Sequence, residues 1–260
     1  MPEGPQVRYI GNMIEQFVGA EITSVTHPPS RVPWELALPT SLARVEVVGK
    51  NIFINLSDGQ IIYNHLLMWG WWLPARTHPR KRVNTIFETN KGPLGYFGGG
   101  IIKLVSSLEA GQIKAKLGPD IMQSDSAEAA FAKVRSHALP IGEALLDQTL
   151  VAGIGNIYKS EGLFAARINP VIPAHNLATR QYDRLFTFLK AQMMADVTRR
   201  GKITTTTLEA QKAGHYNFVY RRLGQPCLFC GTLITRIYQG QKLPRSTYYC
   251  PKCQRNTLKM

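Results

Sequence analysis

Cys227-Leu228-Phe229-Cys230 and Cys250-Pro251-Lys252-Cys253 are two Cys-x2-Cys knuckles near the end of a 260-residue chain, with residues 231–249 between them. Paired thiols at this spacing can supply four thiolates to one tetrahedral zinc ion. They are the chain's only cysteines, and four thiols kept reduced without metal is the competing reading, which the paired spacing disfavours. The intervening segment is rich in strand formers (Leu233, Ile234, Ile237, Tyr238, Tyr248 and Tyr249) and has a polar stretch at Gln239–Lys242. That pattern predicts a β-hairpin between the knuckles, with the metal standing in for a core too small to hold itself together. Such a hairpin would present Arg245, Lys252 or Arg255 outward. Spacing alone leaves Arg255 open: a cation held rigid by the metal, or an ordinary exposed arginine in a frayed tail.

Charge points the same way. The net charge is +14, and from Arg199 to Met260 there are 12 basic residues against one acid, Glu209, so this quarter carries +11 of it. Interleaved with Tyr216, Phe218, Tyr220, Tyr238 and Tyr248, this basic field predicts a nucleic-acid partner rather than a merely solvated surface. Hydrophobic content of 44% is that of a globular protein. The longest apolar run, Ile61 to Leu73, is broken by Asn64, His65 and Gly70 and is too short to span a bilayer. Met1 is followed by Pro2 and Glu3 without a basic-then-apolar leader, so a cytosolic protein is expected, with no membrane partner.

Upstream of the cysteines the pattern changes twice. Residues 5–18 read as a helix, with Pro5 in its first turn, Val7, Ile10, Ile14 and Phe17 on one face and Gly19 as the stop. Ala43–Val48, Ile52–Leu56, Ile61–Leu67, Thr85–Thr89 and Ile101–Val105 read as short strands of a sandwich or barrel. Strand character ends near residue 110. Asp125 with Glu128 marks a helix start before Ala129–Val134, Leu145–Ala152 is apolar and short, and Asn156–Arg167 reads as a helix. Tyr182, Leu185, Phe186, Leu189, Met193 and Val197 trace the face of another, stopped by Gly201. Residues 201–215, with four threonines at 204–207, read as a linker or mobile loop.

The N-terminus offers chemistry. Pro2 permits removal of the initiator methionine, and the product has a free secondary amine. Such an amine condenses with a sugar aldehyde carbon to an iminium, an electron sink for eliminating phosphates, and Glu3 beside it could serve as general acid–base. Taken alone, most chains that begin this way do nothing with these residues. Lys50 follows Gly49 in a turn, where a lysine is usually a solvated charge, but it could instead bind a phosphate beside the reacting sugar. Gly153 and Gly155 could pass for a dinucleotide fingerprint, but there is no third glycine and no preceding strand. They instead put the chain close to an anion at the start of the helix that carries Asn156.

Four stretches together resemble one family, the formamidopyrimidine-DNA glycosylases and endonucleases VIII. They are Pro2-Glu3-Gly4-Pro5, Val48-Gly49-Lys50, Leu146-Asp147-Gln148 through Val151-Ala152-Gly153-Ile154-Gly155-Asn156-Ile157-Tyr158, and Val219-Tyr220-Arg221-Arg222 onward to Tyr249-Cys250-Pro251-Lys252-Cys253-Gln254-Arg255. They run in order from end to end. The resemblance implies an α+β multidomain fold: an N-terminal catalytic β-sandwich with an N-terminal helix at 1–112, a helix–two-turns–helix domain at 113–215, and a C-terminal β-hairpin zinc finger at 216–260. It implies that Pro2 attacks C1′ of a damaged nucleotide and that Glu3 assists ring opening. Lys50, Asn156 and Arg255 would grip phosphates around the lesion. A base must leave the duplex to reach Pro2; Met68, assisted by Leu67 or Trp69, would fill the hole. Cys227, Cys230, Cys250 and Cys253 would bind one structural zinc ion.

The implied activity is that of a monomeric bifunctional DNA glycosylase and abasic-site lyase of base excision repair. It would act on double-stranded DNA with damaged bases or abasic sites, form a Schiff base and cut by β,δ-elimination, in a bacterial cytoplasm at the nucleoid. Three departures favour oxidised pyrimidines over oxidised purines. Gly95-Tyr96-Phe97-Gly98-Gly99-Gly100 has no arginine where the purine branch carries an Arg-Arg-Phe-Gly-like turn, Gly142 stands where that branch has a lysine, and 201–218 is short for a purine-capping loop. The alternatives are an oxidised-purine glycosylase, a non-catalytic zinc-dependent binder of damaged DNA, or an RNA-binding zinc-ribbon protein. The last explains the basic tail but not Pro2, Glu3 and Asn156 together.

Overall fold

The computed structural model describes residues 2–27, 36–240 and 243–255. The chain forms two compact units, Met1–Lys116 and Leu117–Met260.

The first unit begins with helix α1 (Gly4–Glu15) and continues through eight strands: β1 (Glu21–Thr26), β2 (Thr40–Val48), β3 (Asn51–Leu56), β4 (Ile61–His65), β5 (Trp71–Leu73), β6 (Val83–Thr89), β7 (Gly92–Phe97) and β8 (Ile101–Val105). They pair antiparallel in the order β5-β7-β6-β1-β2-β3-β4-β8. β2 is the corner: Thr40 and Ser41 pair with β1, a bulge follows between Leu42 and Arg44, and the rest pairs with β3. Both halves contribute to one apolar cluster, including Ile22, Leu42, Ile54, Ile62, Trp72, Phe87 and Leu94, as a sandwich requires. The Trp72 indole N–H donates to Asn64 Oδ1 at 3.0 Å, and the Asn64 amide donates to the Ile101 carbonyl at 2.7 Å, tying β5 to β4 and β8.

A second small cluster, Phe53, Ile61, Tyr63, Val105 and Ala110, lies beneath helix α2 (Ser107–Ala115). Covering on both faces explains why β4 is apolar without alternation. Three strands escape the sequence reading for physical reasons. β1 buries only Ile22, β5 is three residues long, and β7 opens on Gly92-Pro93. The strand expected at Ile61–Leu67 ends at His65, because Leu66–Gly70 closes a turn.

The second unit holds α3 (Ala127–Ala130), α4 (Ile141–Ala144), α5 (Asn156–Ala165), α6 (Thr179–Thr198), α7 (Leu208–Lys212) and a hairpin of β9 (Thr235–Gln239) with β10 (Arg245–Tyr249). Residues 241–242 of the expected polar turn lie outside the described residues. Tyr182, Leu185, Leu189 and Met193 of α6 are buried against Tyr158 and Leu163 of α5. Gly162 permits this approach: a Cβ there would sit 2.8 Å from Leu189 and 3.0 Å from Leu185. The cap of α3 is Ser126, whose hydroxyl accepts from the Ala129 N–H, and not Asp125.

The threonine run is not a linker. Thr204, Thr205 and Thr206 are buried, and Thr207 caps α7 by accepting from Ala210 N–H. Phe164 of α5 joins Val219, Ile234 and Tyr248 in a cluster around the cysteines. Among the described residues no helix is long and apolar enough to cross a membrane.

Candidate active site and nucleic-acid interface

The first unit positions Pro2, Glu3 and Lys50 at the edges of its secondary structure. Pro2 is half-buried and Glu3 is 3% exposed, immediately before α1. The Glu3 N–H donates to Gln6 Oε1 at 2.6 Å, fixing the chain's entry into the helix. α1 is seated on β2: the Arg8 guanidinium donates to the Val47 carbonyl at 3.0 Å, and a Cβ on Gly11 would sit 2.3 Å from Val47. The Gly49-Lys50 turn follows, with Gly49 at φ 59 and Lys50 buried. Asn51 pairs with His65 across β3 and β4. Burial, and then the Lys50 charge, hold the His65 imidazole below its ordinary pKa. Neutral His65 accepts the Leu67 N–H on Nδ1 at 3.2 Å.

That bond opens the β4–β5 turn. Leu66 is buried, and the Gly70 N–H donates back to its carbonyl at 2.9 Å. Between them Leu67, Met68 and Trp69 are 43%, 58% and 67% exposed. Three consecutive large apolar side chains facing water are the opposite of what burial would select. The backbone beneath them is tightly held. A Cβ on Gly70 would meet the Tyr96 hydroxyl at 2.4 Å, and one on Gly98 would meet the Trp69 carbonyl at 2.2 Å. Lys81 Nζ donates to that same carbonyl at 2.5 Å and lies 6.0 Å from the Trp69 ring centroid.

In the second unit the glycine turn before α5 is braced from within. Gln148 Oε1 accepts the Gly153 N–H at 3.1 Å, while its Nε2 donates to the carbonyls of Leu146 at 3.0 Å and Ile154 at 3.1 Å. Asn156, the first residue of α5, is oriented by Lys159, whose ammonium donates to Asn156 Oδ1 at 2.7 Å, the Ser246 carbonyl at 3.2 Å and Thr247 Oγ1 at 2.6 Å. Lys159 is fully buried, a position an ammonium tolerates only with such partners. One helix turn on, the buried Glu161 carboxylate accepts the N–H groups of Phe218, Val219 and Tyr220 at 2.7–2.9 Å and the Thr205 hydroxyl at 2.5 Å. Arg255 is exposed, but its neighbour Gln254 is fully buried. Gln254 Oε1 accepts the Cys250 N–H at 2.9 Å, its Nε2 donates to the Ile168 carbonyl at 2.8 Å, and its own carbonyl takes the Asn169 amide at 2.7 Å. Arg255 therefore projects from a fixed backbone.

The Sγ atoms of Cys227, Cys230, Cys250 and Cys253 lie within 4.8 Å of one another. The separations Cys227–Cys253, Cys230–Cys250 and Cys230–Cys253 are 3.9, 3.5 and 3.5 Å. A tetrahedron with Zn–S of about 2.3 Å has edges of about 3.8 Å, so the donor set fits one zinc ion. Protons alone would divide these thiols: hydrogen bonds from Thr232 bring Cys230 down to about 6, while burial pushes Cys250 and Cys253 up. A divalent cation is what holds all four as thiolates together.

Residues 1–98 match the formamidopyrimidine-DNA glycosylase N-terminal domain, 117–208 the formamidopyrimidine-DNA glycosylase H2TH domain, and 224–256 the zinc finger found in FPG and IleRS. An Endonuclease 8 1 of Mycobacterium bovis is 30% identical, and a formamidopyrimidine-DNA glycosylase of Janthinobacterium is 33% identical; each alignment covers 98% of this chain and 100% of the relative. The chain belongs to the formamidopyrimidine-DNA glycosylase and endonuclease VIII family. A solved structure of MutM in complex with carbocyclic 8-oxo-G containing DNA superposes with a TM-score of 0.80 at 25% identity, covering 98% of this chain and all of that one.

As a DNA-repair glycosylase of this family the protein carries one structural zinc ion in its finger. The residues the sequence reading missed are the ones beneath the quoted motifs: Lys159 and Glu161 behind Asn156, Gln254 beside Arg255, His65 and Lys81 under the apolar turn. A Lys and a Glu on a helix read as solvated charges, and only their burial reveals them.

Proposed function

We propose that this protein is a bifunctional DNA glycosylase and abasic-site lyase that excises oxidised bases, pyrimidines above purines, through a Schiff base on Pro2. The observation that carries the reading is a chain start held by α1, with half-buried Pro2 beside buried Glu3. After removal of Met1, which lies outside the described residues, the Pro2 nitrogen attacks C1′ and the bond from C1′ to the base breaks, the base leaving with the bond pair and taking up the proton that the Pro2 nitrogen gives up. Glu3 protonates the ring oxygen, the ring opens, and the iminium forms. Loss of a C2′ proton then breaks the C3′–O3′ bond, and a second elimination breaks the C5′–O5′ bond. Lys50, Asn156 and Arg255 bind flanking phosphates, and Met68, with Leu67 or Trp69, takes the place of the extruded base.

The functional domains we assign are 1–112, 113–215 and 216–260. The partner is lesion-bearing or abasic duplex DNA, met by a monomer at the nucleoid of a bacterial cytoplasm.

Two features support oxidised pyrimidines. Gly98, Gly99 and Gly100 between β7 and β8 carry no side chain with which to read an orphan base. At Gly142 a Cβ would meet Gln239 Oε1 at 2.1 Å, so a lysine at that position would collide with the finger hairpin. Borohydride reduction with abasic DNA tests the central claim. A trapped adduct is expected, with the DNA mapped by mass spectrometry to the Pro2 peptide. Undiminished adduct in protein whose N-terminus is chemically blocked, or full activity with Met1 retained, would end the Pro2 mechanism. Incision of duplexes containing thymine glycol, dihydrouracil or 8-oxoguanine ranks the lesions, with the first two expected to be cut faster.

A further inference from the structure

Behind Asn156 the buried hydrogen bonds continue past Lys159 and into the hairpin. Thr247 Oγ1, which accepts from Lys159 at 2.6 Å, itself donates to Gln239 Oε1 at 2.7 Å, and Gln239 Nε2 donates to the Pro170 carbonyl at 2.9 Å. Thr247 is fully buried and Gln239 nearly so. Packing confines Gln239 as well, since a Cβ on Gly142 would sit 2.1 Å from its Oε1. The run Gln239, Thr247, Lys159, Asn156 therefore crosses from β9 to β10 to α5 through the interior, and it emerges only at half-buried Asn156.

The polarity of this run is fixed from its far end. A carbonyl only accepts, so the Pro170 carbonyl takes the nitrogen of the Gln239 amide and leaves its oxygen toward Thr247. The Thr247 hydroxyl must then donate to that oxygen, and its own oxygen is left to accept from Lys159. The Ser246 carbonyl accepts a second Lys159 proton at 3.2 Å. An ammonium has three donors and no lone pair, so what it meets on Asn156 is the amide oxygen, at 2.7 Å. The Asn156 amide nitrogen is thereby turned the other way, where its described contact is a long one, to Ser246 Oγ at 3.4 Å. Its hydrogens stand at the first residue of α5, beside backbone N–H groups that also favour an anion.

We propose that Lys159 and Thr247 are positioning residues for the phosphate grip of Asn156, holding its amide with the nitrogen edge toward DNA through a relay whose polarity Pro170 and Gln239 set. The proposal rests on the DNA-glycosylase reading above, in which Asn156 meets a phosphate, and adds that the finger hairpin aims this contact. With the relay intact, a flipped Asn156 amide would set its hydrogens against the ammonium. With the relay cut, either amide edge can face the phosphate, and only the nitrogen edge binds it. A competing role for both residues is to pack the hairpin on α5 and nothing more. That role predicts losses of affinity that do not depend on Asn156.

The test is a double-mutant cycle read by fluorescence anisotropy, with zinc-loaded, full-length protein on an abasic-analogue duplex, and by thermal melting of the same samples. Asn156→Ala should weaken binding roughly tenfold or more, the worth of one charge-assisted hydrogen bond. Thr247→Val keeps the shape, loses the hydroxyl and should weaken binding roughly threefold to tenfold with its zinc retained. Thr247→Ser restores the hydroxyl and should recover most of that loss. Lys159→Met should lose at least as much as Thr247→Val and melt lower; if it does not fold, Thr247→Val carries the cycle alone. Combined with Asn156→Ala, neither substitution should weaken binding further, although each should still lower the melting temperature. Asn156→Asp pairs a carboxylate with the ammonium but offers the phosphate no donor, so it should melt above Asn156→Ala and bind DNA no better. Wild-type affinity in Thr247→Val, an equal fold-loss with and without Asn156→Ala, or Asn156→Asp melting below Asn156→Ala would each overturn the relay. Wild-type affinity in Asn156→Ala would overturn it together with the phosphate contact of Asn156. Unmutated protein that neither prefers nor incises abasic DNA would sink the underlying glycosylase reading instead, so the two failures are distinguishable.

Discussion

The β4–β5 turn and the start of α5 both present side chains we assign to DNA, and they are built in opposite ways. The turn offers Leu67, Met68 and Trp69 to solvent, with a main-chain bond, close glycine approaches, His65 and Lys81 beneath them. The start of α5 offers Asn156 above buried polar side chains: Lys159 bonds Asn156 itself and the finger residue Thr247, and Glu161 bonds Thr205 and the backbone of 218–220. The contrast follows from the ligand. An apolar side chain that enters a base stack needs shape and exposure, and its partner is absent in the free protein. A polar group that meets a phosphate needs a fixed direction, which only satisfied hydrogen bonds provide. Substitutions should therefore cost stability at α5 and cost function at the turn.

The largest stability effect is expected at Glu161. Burial pushes its carboxyl pKa up, and the Thr205 hydroxyl with three backbone N–H groups pulls it back. Glu161→Leu would strand all four donors in the interior. At roughly 1–3 kcal/mol for each unsatisfied group, partly relieved by relaxation, the loss should be on the order of 3 kcal/mol or more. Urea unfolding followed by far-UV ellipticity measures it, since all four tryptophans lie before residue 73 and do not report on this unit. A loss below about 1 kcal/mol would mean that the Glu161 bonds do not hold the 204–220 segment against α5, and the contrast would collapse.

Met68→Ala should do the reverse. At 58% exposure on a turn, the side chain contributes little to folding, and the stability change should stay within about 0.5 kcal/mol. Base extrusion costs a few kcal/mol of unstacking, part of which an inserted side chain recovers. Single-turnover excision from a paired lesion should fall roughly tenfold or more, equivalent to about 1.4 kcal/mol, with a smaller loss on single-stranded substrate. Equal losses on both substrates would remove Met68 from the stack and shift attention to Trp69.

The same contrast explains what could be read from the sequence. The cysteine knuckles are a short-range pattern whose spacing carries its chemistry, and the zinc-finger match agrees with it; the opening Pro2-Glu3 says little by spacing and gains its meaning only together with the other three motifs. Strands with an apolar face were legible at β2, β3 and β6. Nearly faceless β1 and three-residue β5 were not, because their pairing is set by distant partners. The threonine run misled because composition signals a loop, while Thr204 is bonded by Gln192, Thr205 bonds Glu161 and Thr206 bonds the His215 carbonyl, partners the run itself does not announce. Lys159, Glu161 and Gln254 were invisible as supports for one reason: a charged or amide side chain announces its type in the sequence but not the partners that bury it.

The smallest effect belongs to His65, where turn and protonation meet. Burial and the nearby Lys50 charge keep its folded pKa below 6.5, the value its unfolded state retains. Between those two values the unfolded chain binds a proton that the folded chain refuses, so stability falls as pH drops below about 6.5 and levels off once the folded pKa is passed. Protonation also removes the Nδ1 lone pair that accepts the Leu67 N–H, loosening the first residue of the turn. His65→Gln keeps an acceptor and cannot titrate. His27 and His78 are also depressed, by burial first, and remain in both proteins. The measurable quantity is therefore the difference between wild type and variant in urea midpoint from pH 7.5 to pH 5.5, read by tryptophan fluorescence. The wild type should lose more, and its excision rate should fall more steeply across the same interval. Parallel pH profiles would show that the turn is held by its glycines and Lys81 alone, and that His65 does not couple it to the Lys50 side of the sheet.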